Sequence, residues 1–270
     1  MTIHHINPYD FSWMNKGSHL ETPTHSDLIL LQPYEAHHRA EHNSALLLLH
    51  GFGSSPAVFR KIYTHSLQYD YVVAPCLIGH GSSIADFAKA TAHGWMTQTQ
   101  NMMSDLCRDY KYVDVMGLSL GGLLACHLAQ RFPISKLFLL APALALNTSP
   151  KLLLKIARLA KTAGFYSIYN RGGQTFKRTT QELLYRQLPL DVLIEILIFI
   201  MNYQHQSWSH PTTLFIGQHD KVIHSNRVAN ILANLPNLET HVLGNSGHVL
   251  PIEEDYKQIL QALQKTNHQS

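Results

Sequence analysis

Apolar residues in this chain are concentrated in short unbroken runs, each bounded by glycine, proline or polar turn residues. Continuous apolar runs of this length are typical of strands that are buried on both faces of a parallel sheet. The runs predict strands at residues 45–52, 69–76, 112–117, 136–142, 212–217 and 239–244. A further run, DLILLQP at residues 27–33, is predicted to add an edge strand.

Segments with helical spacing separate most of these strands. Strand and helix in alternation predict an α/β fold, in which a mostly parallel central sheet has helices on both sides. The helices are predicted at residues 56–66, 94–110, 122–131, 226–235 and 254–265.

The alternation is interrupted once, between the strand that ends at Ala141 and the strand that begins at Pro211. Residues 142–209 contain helical patterns and no strand candidate. An insertion at the carboxyl end of a strand lies over the edge where open α/β sheets bind their ligands. We therefore predict a core domain formed by residues 1–141 and 210–270, and a helical cap formed by residues 142–209.

The composition narrows the class of protein. With 270 residues, 45% of them hydrophobic and 14% charged, the chain is typical of a globular protein with a full core. The apolar runs are too short to span a membrane. The formal net charge of +3 comes from scattered Lys and Arg residues, so neither a nucleic-acid partner nor membrane association is expected.

The cysteines and the amino-terminal residues indicate the cellular compartment of the protein. Cys76, Cys107 and Cys126 are odd in number and lack the spacing of a metal site, so they are predicted to be buried thiols, and no metal or cofactor is expected. The first 19 residues lack the cationic start and apolar core of a secretory signal. We expect a cytoplasmic protein.

The sequence VMGLSLGGLLACHLAQRF, residues 115–132, passes from strand to helix with a serine at the corner. One interpretation is packing, in which Gly117 and Gly121 let the helix lie close to the strand and Ser119 caps the helix. The other is a nucleophile elbow, a strained turn that presents the Ser119 hydroxyl above the sheet. The remaining sequence has to distinguish the two.

A serine nucleophile needs a base that accepts its proton and a carboxylate that orients the base. Asp220 directly follows the strand at residues 212–217, and His248 lies in a Gly/Asn/Ser loop after the last predicted strand. Both therefore come at strand ends, in the order Ser, Asp, His. This favours Ser119, Asp220 and His248 as a catalytic triad.

Other residues of the same types fit less well. Asp114 lies inside a predicted strand, and Asp191 begins a cap helix. His219 and His224 flank Asp220 but have no strand of their own to present them to the serine.

Acyl transfer also needs donors for the negative oxygen that forms on attack. The N–H of Leu120, at the start of the helix, is one candidate. The turn after the first central strand, His50-Gly51-Phe52-Gly53, offers the N–H of Phe52 as the second. The joint occurrence of these features favours a serine hydrolase site over packing alone.

The motifs LLHGFGSS, GHGSS, GLSLGG and HDKVI…GNSGHV resemble the α/β-hydrolase superfamily, in its small carboxylesterase and monoacylglycerol-lipase-like branch, over about residues 45–260. The resemblance implies the same triad, the same two amide donors, and a helical cap inserted after the sixth strand of that fold. Serine at the nucleophile position argues against dehalogenases and epoxide hydrolases, which carry aspartate there. His80 of the GHG loop is interpreted as structural support.

Two cap segments bear on the substrate. Residues 189–203 are apolar on nearly every face, in two stripes, of which one is expected to pack on the core and the other to line the acyl site. Residues 149–165 are amphipathic, and we expect a solvated polar face there rather than a membrane surface. The first stripe contains Leu193, Ile194, Leu197 and Met201, of which Ile194, Leu197 and Met201 are predicted to bind substrate; the second contains Val192, Ile196, Phe199 and Ile200.

The sequence thus predicts a serine-dependent hydrolase of small-molecule carboxylic esters with small to medium apolar acyl groups. An acyl-thioester hydrolase would use the same residues and differ only in its leaving group. A non-catalytic ligand-binding protein on the same fold is the third interpretation.

Overall fold

The structure, a computed structural model, describes residues 6–177 and 179–266. Its strands are β1 Phe11–Asn15, β2 Ser18–Glu21, β3 Tyr34–His37, β4 Ser44–Leu49, β5 Tyr71–Ala74, β6 Tyr112–Leu118, β7 Lys136–Leu140, β8 Ser167–Tyr169, β9 Glu182–Tyr185, β10 Gln187–Pro189, β11 Thr212–Gly217 and β12 Leu238–Leu243. Its α-helices are α1 Arg60–Tyr63, α2 Ile84–Ala88, α3 Ala92–Asp109, α4 Leu120–Ala129, α5 Pro150–Thr162, α6 Leu190–Asn202, α7 Ser225–Leu232 and α8 Tyr256–Gln264.

A seven-stranded sheet forms the centre of the molecule, in the order β12-β11-β7-β6-β4-β5-β3. Every neighbouring pair is parallel except β3 with β5, which is antiparallel at the edge. The predicted α/β fold with a mostly parallel sheet and flanking helices is therefore confirmed. The inner strands β4 and β11 are buried throughout, as continuous apolar runs predict, whereas the edge strand β12 is mostly exposed or half-buried.

The predicted edge strand at residues 27–33 is wrong. Asp27–Leu31 forms a 3-10 helix, and the edge strand is β3, which begins three residues later. Leu28 and Leu31 are buried, and their spacing of three residues places both side chains on one face of a 3-10 helix. The carboxylate of Asp27 accepts a hydrogen bond from the Thr24 N–H at 2.8 Å, which closes the turn at its start.

The prediction that residues 142–209 contain no strand is also wrong. The interval holds the two predicted helices, as α5 and α6, and in addition the short strands β8, β9 and β10. β8 pairs with β10, while β9 pairs with β1 in the three-stranded antiparallel sheet β2-β1-β9. Strand β9 has four residues and a partner about 170 residues away, and β8 and β10 have three residues each, so none of them leaves a local pattern to read.

The amino-terminal strand β1, which the sequence assigned to the core, is thus bound to the cap. The N–H of Arg186 donates to the Asp10 carbonyl at 2.7 Å, and its guanidinium donates to the Phe11 carbonyl at 2.8 Å. The Phe11 ring contacts the Tyr185 ring with centroids 4.3 Å apart. This packing connects β1 to β9 and to Arg186, which directly follows it.

Within the residues described, no helix is long and apolar enough to cross a membrane.

Removing the Phe11 ring should therefore destabilise the protein. Phe11 is 1% exposed, and truncation of a buried phenylalanine typically costs about 3–5 kcal/mol. We expect Phe11→Ala to lower the free energy of unfolding in urea by about that amount. Tyr9→Ala is the matched control, because Tyr9 is 74% exposed and two residues away. A loss in Phe11→Ala no larger than in Tyr9→Ala would contradict the packing of β1 on the cap.

Candidate active site

Ser119 lies at the junction of β6 and α4 in a backbone conformation that non-glycine residues rarely adopt. Its φ is +53° and its ψ is −111°, and it is the N-terminal cap residue of α4. The neighbouring strand end holds it there: the Ser119 N–H donates to the Leu140 carbonyl at 3.0 Å, and the Ala143 N–H donates to the Ser119 carbonyl at 2.9 Å. Strained backbone held by its surroundings is typical of functional sites.

The glycines on both sides of Ser119 permit a very close approach of backbone segments. A Cβ at Gly121 would lie 1.9 Å from the Leu49 carbonyl oxygen at the end of β4, and one at Gly117 would lie 2.3 Å from the Gly121 carbonyl oxygen. Helix α4 can therefore start directly against the sheet only because neither residue has a side chain. Close packing and a strained serine are both present, but the Ser119 side chain makes no capping hydrogen bond to the helix.

The Asp220 and His248 side chains meet at the carboxyl ends of β11 and β12. His248 Nδ1 lies 2.8 Å from Asp220 Oδ2. The other carboxylate oxygen of Asp220 accepts the N–H groups of Val222 at 2.7 Å and Ile223 at 2.9 Å. Because the ionised carboxylate can only accept, Nδ1 carries the proton and Nε2 is left as the free base.

The electrostatic surroundings favour the ionised forms of both Asp220 and His248. Burial lowers the pKa of His248, but the charges of Asp220 and Glu182 and the hydrogen bond to Asp220 outweigh it, so the pKa is raised above its usual range. Burial raises the pKa of Asp220, but His248 and the two backbone N–H groups outweigh it, so the net pKa is lowered. The Asp220–His248 pair is thus prepared to stabilise an imidazolium.

The His248 loop is fixed from the core and from the cap. The His248 N–H donates to the Gln174 carbonyl of the cap at 2.9 Å. The buried carboxylate of Glu253 accepts the N–H groups of Gly247, at 3.3 Å, and of Phe176. One buried acid therefore ties the histidine loop to the cap segment that passes over it.

The two candidate oxyanion donors belong to the start of α4 and to the turn after β4. Leu120 is the first residue of α4, where an N–H has no carbonyl four residues earlier in the helix to bind. Phe52 lies in the turn after β4, beside the buried ring of His80, with centroids 6.1 Å apart. His50 at the start of this turn is locked, with Nδ1 at 2.9 Å from the Gly51 carbonyl and Nε2 accepting the Leu77 N–H at 3.0 Å.

Burial lowers the pKa of His50 to about 4 and also lowers that of His80. Both therefore stay neutral. The interpretation of His80 as structural support agrees with its place in a buried aromatic cluster with Phe52, Phe87 and Trp95.

A cavity of about 190 Å³ opens over Ser119 and His248. Its apolar walls come from the carboxyl end of β6, from the loops that follow β11 and β12, and from the cap strands. Its polar part comes from the turn after β4 and from the cap. The lining residues are Gly51, Phe52, Ser54, Leu118, Ser119, Asn170, Gly172, Gln174, Glu182, Leu184, Leu188, Val222, His248 and Val249.

The structure does not bring Ile194, Leu197 and Met201 to this cavity, and the predicted role of α6 in lining it is wrong. Leu197 is buried but outside the central core cluster, on the helix that packs on α5, and Met201 is 37% exposed. The second predicted stripe packs on the core, where Val192, Ile196 and Ile200 are buried. The cap residues that line the cavity belong instead to the segment before α6, including Leu184 of β9 and Leu188 of β10, and those strands had no recognisable pattern.

Glu182 is the residue of the site that sequence reasoning missed. Its carboxylate is 6% exposed, lines the cavity, and accepts a hydrogen bond from the Ser54 hydroxyl at 2.6 Å. Burial raises the pKa of Glu182. One signal was available: it is the first acidic residue after Asp114, at the end of a long stretch without any.

The acids and histidines that fitted a catalytic triad less well by sequence make other contacts in the structure. Asp114 is buried within β6 and accepts the Tyr69 hydroxyl at 2.6 Å, and Asp191 is paired with Lys161 on the cap surface. His219 stacks on Phe176 with centroids 4.0 Å apart, and His224 accepts the Arg227 N–H at 3.4 Å at the start of α7. Across the described part of the chain, no group of three or more His, Cys, Asp or Glu side chains is arranged to hold a metal ion.

Comparison with known proteins shows the family to which this chain belongs. The model of the alpha/beta hydrolase family matches residues 46–262, so the chain belongs to that family. The thermostable monoacylglycerol lipase of Bacillus sp. (strain H-257) is 24% identical over 222 residues, which make up 80% of this chain and 87% of that protein.

Solved structures show the same fold. A structure reported for the two metagenome-derived lipolytic enzymes LipS and LipT superimposes with a TM-score of 0.76 at 22% identity, covering 88% of this chain and 98% of the other. The monoacylglycerol lipase of Paleococcus ferrophilus gives a TM-score of 0.65 at 16% identity, covering 86% and 98%. The predicted resemblance to the esterase and monoacylglycerol-lipase-like branch is confirmed.

The charge of Glu182 next to His248 predicts a specific pH effect. A carboxylate favours the protonated imidazole, so removing it lets His248 lose its proton at lower pH. We expect kcat/KM for an ester to rise with pH through a midpoint above 6.5, the ordinary histidine value, and Glu182→Gln to move this midpoint downward.

Glu254→Gln is the matched control, because that acid is exposed and lies outside the cavity lining. An unchanged or higher midpoint in Glu182→Gln would show that Glu182 does not act on the histidine.

Proposed function

We propose that the protein is a serine-dependent hydrolase of carboxylic esters with small to medium apolar acyl groups. The observation that carries the proposal is the Asp220–His248 pair at 2.8 Å, opening on the same cavity as a serine in a strained elbow. Membership of the alpha/beta hydrolase family supports it.

In the first half of the proposed reaction, His248 Nε2 removes the proton of the Ser119 hydroxyl as its oxygen attacks the ester carbonyl carbon. The carbonyl oxygen becomes negative and is stabilised by the N–H groups of Phe52 and Leu120. When the tetrahedral intermediate collapses, the carbon–oxygen bond to the alcohol breaks, and the alcohol leaves with the proton from His248. The acyl group remains on Ser119.

Water completes the cycle. His248 removes a proton from a water molecule, the hydroxide oxygen attacks the acyl carbon, and the Ser119 oxygen leaves with the proton held by His248. Asp220 keeps the imidazole oriented through both steps and stabilises its positive form. The acid is released and the enzyme returns to its starting state.

The two kinds of wall in the cavity favour an ester with an apolar acyl group and a polar alcohol. Leu184, Leu188 and Val222 offer apolar surface, whereas Ser54 and Glu182 offer acceptors for hydroxyl groups. A volume of about 190 Å³ suits a modest ligand. Monoacylglycerols have this combination, and the similarity to the Bacillus monoacylglycerol lipase supports such esters as first candidates.

Covalent labelling tests the nucleophile directly. We expect a fluorophosphonate probe to modify Ser119 and to leave Ser119→Ala unlabelled, with ester turnover lower by several orders of magnitude. Mass spectrometry of the labelled peptide identifies the modified residue. Ser246→Ala is the control, since this serine lies in the histidine loop, two residues before His248, and its hydroxyl is buried against Asp255. Labelling of another serine in the wild-type protein would overturn the assignment.

Parallel assays with esters and thioesters of equal acyl length separate the proposed activity from an acyl-thioester hydrolase. A faster reaction with thioesters would replace the ester proposal. Absence of both a burst and turnover with activated esters would favour a non-catalytic binding protein.

The cavity lining also predicts which residue limits acyl length. Leu188 is half-buried and faces the cavity, so Leu188→Trp should shift the preferred acyl chain to shorter esters with little loss of stability. Ile194→Trp is the matched control on α6, outside the lining, and should leave the chain-length profile unchanged. A graded series of p-nitrophenyl esters measures both. The reverse result would return the acyl site to α6.

A further inference from the structure

The cap carries an unusual share of the exposed apolar side chains. Fourteen large apolar residues are exposed in the described parts of the chain, and eight of them lie between residues 152 and 201. We use the term cap face for the seven that belong to α5 and the segment directly after it: Leu152, Ile156, Leu159, Phe165, Tyr166, Ile168 and Tyr169.

Helix α5 has an apolar stripe on its solvent side. Leu152, Ile156 and Leu159 are spaced four and three residues apart, which places them on one side of the helix. They are 52%, 54% and 59% exposed. The buried residues of the helix are Leu154 and Ala157, which lie on another side. The sequence pattern suggested an ordinary amphipathic helix with a solvated polar face, but in the structure much of its apolar stripe is solvated.

A stripe of cations runs beside the apolar one. Lys151, Lys155 and Arg158 have the same spacing, displaced by one residue, and all three are exposed. Residues 146–177 contain six Lys and Arg residues and no Asp or Glu, although the whole chain has a formal net charge of only +3. Positive charge is therefore concentrated on this segment of the cap, where Lys161 is paired with Asp191 and Lys177 with Glu254.

We propose that the cap face docks on an anionic lipid surface. Exposed leucine, isoleucine and aromatic side chains beside a row of Lys and Arg are the combination that places an amphipathic helix in the plane of a membrane interface. The apolar stripe enters the boundary between headgroups and acyl chains, and the cations contact the negatively charged headgroups. The expectation of no membrane association, drawn from scattered charge along the sequence, is replaced by this proposal.

The charge pattern selects this occupant over a second copy of the chain. A symmetric dimer through this face would bring the same patch of each subunit together, and with it the rows of cations. Such a contact would bring the rows of Lys151, Lys155 and Arg158 close to one another, and the nearby acid Asp191 is already paired with Lys161. A negatively charged surface has no such penalty.

The cap face is continuous along the chain with a residue that lines the cavity. Tyr169 is followed immediately by Asn170, which lines the cavity over Ser119. Docking by the cap face would therefore hold the cap segment that borders the cavity next to the lipid. The docking itself does not depend on the proposed hydrolysis.

Vesicle co-sedimentation tests the proposal without any use of turnover. We expect the wild-type protein to bind phosphatidylcholine vesicles that contain about one-third phosphatidylglycerol, and to bind pure phosphatidylcholine vesicles much more weakly. Two independent variants should each reduce the affinity on the order of 100-fold. One removes the apolar stripe, Ile156→Ser with Leu159→Ser, and the other removes the cations, Lys151→Gln with Lys155→Gln and Arg158→Gln.

The controls make the same kinds of change elsewhere on the surface, each with one substitution fewer. Ile29→Ser replaces an apolar residue that is 62% exposed, and Lys257→Gln with Lys265→Gln removes two exposed cations of α8 and its end. Both controls should bind anionic vesicles like the wild type. All variants change exposed side chains, so their thermal unfolding should match the wild type.

Three results would overturn the proposal. The first is absence of binding to the anionic vesicles by the wild-type protein. The second is equal loss of binding in the control variants, which would show that general charge or hydrophobicity is responsible. The third is a concentration-dependent dimer that the Ile156→Ser, Leu159→Ser variant abolishes while the vesicles remain unbound, which would assign the cap face to self-association.

Discussion

The arrangement of this site depends on the contact between the start of α4 and the end of β4. At Gly121 the helix backbone lies so close to the Leu49 carbonyl that any side chain there would collide with it. Because the helix starts this close to the sheet, the residue before it has to turn within a single position, and Ser119 does so with a positive φ. The strain is tolerated because hydrogen bonds from the end of β7 hold the serine on both sides.

The other half of the site is held by buried acids rather than by regular structure. Asp220 is oriented by two backbone N–H groups and in turn orients His248. Glu253 ties the loop before the histidine to the cap, and Gln174 of the cap binds the histidine backbone. The cap therefore both borders the cavity and fixes the base. A change in the cap segment 170–176 would therefore alter the position of His248 as well as the walls of the cavity.

The two cap helices differ in how much of their apolar surface is exposed. Helix α6 looks like a cavity-lining element by composition, yet its apolar residues pack on the core and on α5. Helix α5 looks like an ordinary amphipathic helix, yet its apolar stripe is exposed. Hydrophobic residues that a chain leaves exposed in one contiguous region indicate an interaction surface more strongly than those it buries.

The sequence by itself determined the parallel sheet and the order of the strand-end residues Ser119, Asp220 and His248. These features could be predicted because each depends on a short contiguous pattern: an apolar run, a glycine-flanked serine, a polar residue just after a strand. Only the tertiary structure placed β9 beside β1, brought Glu182 to Ser54 across 128 residues, and left Ile194, Leu197 and Met201 outside the cavity lining. Those outcomes depend on contacts between segments that are far apart in the sequence. A strand of four residues or a single acid has no local periodicity from which its partner could be predicted.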